Sequence, residues 1–314
     1  MGRHLISRLG QAALVLFVAF AATFLLLQAL PGDSILIKFE DPELGLSPAQ
    51  IAQIRAQYGA DDPMIAQFIH TLGGFLAGDF GYSIETGAPV LERLAAGLPE
   101  TLKLAGSAFI LAVILAIGIA FTASYTRFAW LRNILTSVPA LFISIPTFWL
   151  GILLIQLVSF KWNLIPAVGG SELQQLILPV LTLAIPISAP LAQVLCRSLD
   201  SVYLQPFVSV AAAKGASRGW ILWRHVGRNS LLPVLTMAGL LVGELIAGSV
   251  VTETVFGRNG IGRLTERAVA TQDIPILQGV VILSATVFVL VNLLVDLLYP
   301  VLDPRLRTPI GANA

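Results

Sequence analysis

Apolar residues run along this chain in six stretches, each long enough to cross a bilayer as a helix: Ala12–Leu30, Leu102–Ala123, Val138–Phe160, Leu176–Leu195, Leu231–Val251 and Val280–Leu302. A spanning helix needs about 20 such residues. None of the stretches alternates polar and apolar positions for long, so a barrel of transmembrane strands is not expected. The pattern predicts an all-α, polytopic membrane protein with six transmembrane helices. The first stretch contains Ala19-Phe20-Ala21, which resembles a cleavage site, but its apolar run continues through Phe24 to Leu30. That exceeds a signal-peptide core of about 7–15 residues, so the expected element is a retained anchor.

Between the stretches the pattern changes. Leu30-Pro31-Gly32-Asp33 is a turn signal that ends the first span. Ser47-Pro48 offers a helix cap with proline at the first turn, and Ile51, Ile54 and Tyr58 follow at helical spacing. Asp62-Pro63 begins a second stripe, Ile65, Phe68, Ile69 and Leu72, which Gly73-Gly74 is expected to stop. Two short amphipathic helices on the membrane surface fit this insertion. Prolines crowd spans three (Pro139, Pro146) and four (Pro179, Pro186, Pro190). They serve either packing geometry or a bend that shapes a path, since freed carbonyls are tolerated where neighbouring helices cover them.

Composition agrees with the pattern: 56% of the 314 residues are hydrophobic and 12% charged, about half the usual charged share of a soluble domain. The net charge of +1 predicts no bulk attraction to nucleic acid. The placement of the charges is more telling than their sum. Arg3 and Arg8 precede span one, Arg127 and Arg132 follow span two, Arg197, Lys214, Arg218, Arg224 and Arg228 follow span four, and Arg305 and Arg307 follow span six. The segment between spans one and two is acidic instead. By the positive-inside rule both termini are cytoplasmic. The chain then divides into a cytoplasmic segment and first span (1–30), an extracytoplasmic insertion (31–98), a five-helix core (99–302) with a cytoplasmic loop at 196–230, and a tail (303–314).

That loop carries the strongest local signal. Phe207-Val208-Ser209-Val210-Ala211-Ala212-Ala213-Lys214 reads as a slim alanine-rich helix, Gly215 breaks it, and a second helix starts near Ser217. A helix of small residues lets another protein's backbone approach closely; the plainer alternative is a solvated loop helix. Catalytic signals are missing. No Gly precedes Lys38, Lys103, Lys161 or Lys214, so there is no phosphate-cradling P-loop. His4, His70 and His225 share no metal-ligand spacing. Cys196 has no internal partner and reads as a small packed residue. Within the spans the acidic residues are Glu244 and Asp296, the latter one turn after Asn292. A carboxylate at the bilayer centre costs about 2.5–3.5 kcal/mol, so it must face protein or water. Three roles stay open: an ion relay, a pore-lining or interhelical polar contact, or, for Asp296, hydration at the cytoplasmic interface.

Seven fragments in order resemble the inner-membrane permeases of the dipeptide, oligopeptide and nickel branch of ABC importers. They are Leu30-Pro31-Gly32-Asp33, Gly78-Asp79-Phe80-Gly81-Tyr82-Ser83, Leu98-Pro99-Glu100-Thr101-Leu102, Ser144-Ile145-Pro146-Thr147-Phe148-Trp149-Leu150-Gly151, Glu253-Thr254-Val255-Phe256, Gly260-Ile261-Gly262-Arg263-Leu264, and the close from Val291 through Asn292 and Asp296 to Arg305. The resemblance implies a type I importer fold. It implies that Ala211, Ala212, Ala213, Lys214, Gly215, Ala216, Ser217 and Arg218 form the loop that couples to an ATPase. The wider superfamily places an acid six residues before the glycine; Ser209 stands there in this chain. The implied partners are a homologous second permease, two ATP-binding subunits that hold ATP and magnesium, an extracytoplasmic solute-binding protein, and the lipid bilayer. No cofactor is expected in this chain, and structural roles become the favoured reading of Asn292 and Asp296. An ion-coupled secondary transporter using Glu244, or a scaffold without transport, are the competing classes.

Overall fold

A computed structural model describes residues 2–28, 39, 47–57, 61–166 and 169–302. The Leu30–Asp33 turn, Tyr58 and the 303–314 tail with Arg305 and Arg307 lie outside the described residues. The described elements are α1 (Gly2–Gln28), α2 (Pro48–Gln57), α3 (Met64–Ala77), α4 (Val90–Tyr125), α5 (Ala129–Ser144), α6 (Thr147–Leu154), α7 (Glu172–Tyr203), α8 (Pro206–Ala213), α9 (Arg218–Ile221), α10 (Leu231–Val255), α11 (Ile261–Ala270) and α12 (Ile274–Leu302). Two π-helical turns, Ile155–Lys161 and Leu222–Val226, extend α6 and α9. Five helices are long and apolar enough to cross a membrane, and α5 with the extended α6 makes a sixth if the bent pair counts as one span.

That pair corrects one expectation. Span three is not a continuous helix over Val138–Phe160: it turns by 99° between Ser144 and Thr147. Pro146 supplies the reason. It cannot donate to the α5 ladder, it pushes Ile145 into extended backbone (φ −90°, ψ 119°), and it then stands at the start of α6. Span four behaves in the opposite way. Pro179, Pro186 and Pro190 all lie inside one unbroken α7, and this helix is the most deeply covered of the apolar ones. Two hydroxyls bond back onto the helix, Thr182 donating to the Leu178 oxygen and Ser188 to that of Ile185, and neither oxygen is one that a proline frees.

The residues fall into two compact groups, Met1–Glu100 with Arg258–Val289, and Thr101–Gly257 with Leu290–Ala314. In the first group α1 meets α3 through phenylalanines: the Phe68 ring stands edge-on to Phe20 and Phe24 at 5.4 and 5.3 Å between centroids, and Phe75 does the same to Phe20 at 5.4 Å. Gly73-Gly74 does not stop α3, which runs on to Ala77. The stop is Gly78 in the left-handed region (φ 83°), with the Asp79 amide returning to the Gly74 carbonyl at 2.8 Å. A side chain at position 74 would lie 3.0 Å from the Asp79 oxygen, so that glycine makes room for the returning chain. A second core joins Val90 and Leu94 of α4 to Ile261 and Ala268 of α11 and Ile276 and Val280 of α12.

The second group is built on an alanine ladder. Leu104, Ala108, Ala112, Ala116, Ala120 and Ala123 mark one buried face of α4. The upper rungs pack against Leu183, Ala184, Ile187, Leu191 and Ala192 of α7 and Leu241 and Leu245 of α10. Between helices in lipid no hydrophobic force favours association, so close van der Waals contact must supply it, and small side chains permit the approach. Glycines extend the theme where helices touch: a side chain at Gly239 would meet the Asn292 oxygen at 3.2 Å, and one at Gly151 would meet Phe256, Thr182 and Val255 at 3.2–3.3 Å.

Candidate functional site

Helix α7 runs past Leu195 to Tyr203, so the connection begins at Leu204, and from there it folds as its sequence suggests. Pro206 opens α8 at its first turn, Lys214 ends it, and Gly215 reverses the chain at φ +85°, where any other residue would be strained. The Ala216 amide returns to the Ala211 carbonyl at 3.1 Å. Ser217 then caps α9, its hydroxyl accepting from the Trp220 amide. Beneath this break Ala211 and Ala216 pack with Val208 onto a core of Leu195, Leu199, Ile221, Leu222 and Val226. Arg218 ties the loop to the end of α4 by donating to the Ser124 carbonyl at 3.0 Å, and its guanidinium lies 5.9 Å from the centre of the Tyr125 ring.

The outer face of the same loop is open. Ala212, Ala213, Lys214, Gly215, Ser217 and Arg218 are exposed. So are large apolar side chains around them: Leu204, Phe207, Val210, Trp220 and Trp223, with Leu204 at 86%. The His225 ring packs edge-on to Trp220 at 4.7 Å and tilts against Phe207 at 6.3 Å, joining the two short helices. Ser209 donates to the Pro206 carbonyl at 2.8 Å, a bond within its own helix. The loop thus carries an exposed apolar surface with basic residues at its rim, seated on a packed core.

The intramembrane polar residues do not form one cluster. Asn292 and Asp296 share a half-buried face of α12, where Gly239 of α10 approaches Asn292. Glu244 is exposed, on a different face of α10 from the buried Gly239, Leu241 and Leu245. Among the described residues no group of three or more His, Cys, Asp and Glu is placed to hold a metal ion.

Three polar locks were not assigned roles from the sequence. Thr101 donates to the fully buried Glu253 carboxylate at 2.6 Å, joining α4 to the end of α10. Arg258 donates to Glu100 in a largely buried ion pair. The buried Asp273 carboxylate accepts from the Ser83 hydroxyl, the Ile84 amide (3.1 Å) and the Glu85 amide (3.3 Å). This fixes the tight loop in which Gly81 and Gly87 adopt positive φ. Glu100, Thr101, Glu253 and Ser83 all sit in the recognisable fragments, but nothing in those fragments shows which residue meets which. Asp273 lies in none of them.

Long apolar helices packed by small residues define a multi-pass helical membrane protein. The chain belongs to the family of binding-protein-dependent transport system inner membrane components, which it matches over residues 112–308, and residues 1–105 match the N-terminal component of such membrane proteins. It is thus an inner-membrane permease of an ATP-driven ABC importer. It is 35% identical to the glutathione transport system permease protein GsiC of Escherichia coli strain K12 over 308 residues, covering 98% of this chain and 99% of that one. It is 34% identical to the probable peptide ABC transporter permease protein y4tP of Sinorhizobium fredii, covering 98% and 100%. The inward-facing MetNI methionine ABC transporter shares the fold with a TM-score of 0.56 at 17% identity, over 68% of this chain and 97% of the other. An amino acid ABC transporter with histidines gives 0.52 at 18%, over 66% and 92%.

Proposed function

We propose that this permease carries short peptides or peptide-like solutes such as glutathione, and that Ala211–Arg218 couples its helices to ATP hydrolysed elsewhere. The relatives named for glutathione and peptides support the solute class. A second homologous permease would complete the pathway, two P-loop subunits would hold ATP and magnesium, and a solute-binding protein would deliver cargo to the outer face. The basic connections support a cytoplasmic position for both termini and the 196–230 loop.

The observation that carries the coupling reading is the two-sided loop. One side is anchored to the α4 and α7 core through Ala211, Ala216 and Arg218, and the other offers exposed small and aromatic residues. A part held rigidly on the spans and open outward transmits a push from a docked partner. Coupling also requires that the loop bind the two ATPase states differently, since otherwise nucleotide shifts no equilibrium. The test is co-purification of ATP-binding subunits with the tagged permease, together with uptake of a labelled dipeptide. Gly215→Asp is expected to abolish uptake and weaken co-purification while the protein stays inserted. Full uptake by that variant overturns the coupling assignment; uptake by the chain alone, driven by an ion gradient, overturns the importer partners.

A further inference from the structure

The exposed positions of α10 form a single stripe: Pro233, Thr236, Leu240, Glu244, Ala247, Val251 and Thr254. Their spacing of three and four residues puts them on one face along the whole helix. The exposed positions of α12 in the same compact group, Leu290, Leu294 and Leu297, are all apolar and suit lipid. The α10 stripe does not. Glu244 stands about 20 Å from the start of this helix and about 16 Å from its end, close to the middle of a hydrocarbon core about 30 Å thick. Among the described residues it has no hydrogen bond or ion pair. A carboxylate placed there against lipid is the costly arrangement, so the stripe must face water or a polar partner.

We infer that this stripe lines the aqueous solute pathway and that Glu244 is its cation-recognising position, receiving the ammonium group of the passing solute. The inference rests on the permease reading above. It adds the wall, the residue and the chemical group recognised. Thr236 and Thr254 extend the stripe with hydroxyls toward both ends, and the small, exposed Ala247 stands one turn from the carboxylate. A peptide carries an ammonium group at its amino end, which complements an otherwise unpaired carboxylate. The opposing permease could instead supply a cation that neutralises Glu244, and the experiment separates these outcomes.

The test uses the complete importer in proteoliposomes, in a Cys196→Ser background that leaves no native thiol in this chain, and labelling is read on this chain alone. Single cysteines are placed at Leu240, Ala247 and, as lipid-facing controls, Leu290 and Leu294. Each is treated with a cationic trimethylammonium and an anionic sulfonate methanethiosulfonate reagent. The expected result is modification at 240 and 247 but not at 290 and 294, with the cationic reagent favoured by about tenfold, as a unit charge within several ångströms in a partly aqueous path predicts. Glu244→Gln should remove that preference and leave the positions reactive. Unreactive 240 and 247 would overturn the pathway assignment. Reactive positions with no charge preference, in Glu244 and Gln forms alike, would overturn cation recognition and point to a partner cation. ATP- and binding-protein-dependent uptake by the Cys196→Ser parent is measured alongside, so a failure of the permease reading shows separately.

Discussion

The loop around residues 79–90 and the largely helical connection at 204–230 both turn on glycines at positive φ, yet they are held by opposite means. The first is fixed by a buried carboxylate: Asp273 gathers a hydroxyl and two backbone amides from three consecutive residues, and the Ser83 hydroxyl in turn accepts from the Thr86 amide at 3.0 Å. The second has no buried ion. It is seated by apolar side chains from below and leaves its upper face bare. The difference teaches where each loop can afford change. A loop built on buried hydrogen bonds has one geometry and fails when a partner is lost. A loop seated on apolar contacts keeps its shape while its outer residues stay free for a partner.

The sharpest way to break the comparison is Asp273→Ala. It strands the Ser83 hydroxyl and two amides in a buried site, and unsatisfied buried groups cost about 1–3 kcal/mol each. Partial rehydration will soften the sum, so the expected loss is about 3 kcal/mol, read as a large drop in the thermal midpoint of the detergent-solubilised protein. Asp273→Asn keeps one accepting oxygen and should recover part of it. Recovery by Asn with no recovery by Leu would show that acceptance, not volume, holds the loop. Thr101→Val comes next. It keeps the shape but removes the hydroxyl that donates to buried Glu253, at a cost of about 2 kcal/mol. A loss below 0.5 kcal/mol would mean that other donors satisfy Glu253 alone.

These locks also mark the limit of what the chain's pattern reveals. Spans one, two, four, five and six are legible because twenty apolar residues have no other stable place. The local form of the 204–217 segment is legible too, because Pro206, Gly215 and Ser217 each force a local backbone choice. The 99° turn at Ile145-Pro146 was not, although the proline was visible, since Pro186 and Pro190 in α7 are accommodated without a break. The outcome depends on what packs around each proline, and α7 is enclosed by α4, α6 and α10. Pairings such as Thr101 with Glu253 or Ser83 with Asp273 join residues more than 150 positions apart, and no local rule reaches that far. The face of α10 that carries Glu244 is likewise set by which side α4 and α7 cover.

Gly215→Ala moves the comparison to the second loop and to a smaller effect. Nothing lies within 4 Å of the space a methyl group would take there, so the cost is conformational alone, about 1 kcal/mol for an L-residue held at φ +85°. The fold should survive with a modest fall in thermal midpoint, and a fall as large as that of Asp273→Ala would show that this loop too is rigidly locked. Uptake is expected to fall further than stability does, because the reversal at 215 sets the angle between α8 and α9.

The least disruptive change is the most diagnostic of all. Ala212 is exposed on α8, while its neighbour Ala211 faces the core. Ala212→Glu adds a solvated side chain and should alter stability by less than about 0.5 kcal/mol, as surface substitutions do. If the bare face is a docking surface, that same residue places bulk and a buried charge at a contact between two proteins, where an uncompensated ion costs several kcal/mol. Uptake and co-purification of the ATP-binding subunits should then collapse while the thermal midpoint stays put. Ala211→Glu provides the contrast, since it forces a charge into the core and should lower both. If Ala212→Glu instead leaves uptake intact, the exposed alanines are solvated surface, and the coupling contact must be carried by Trp220, Trp223 and Leu204 on the flanks of the loop.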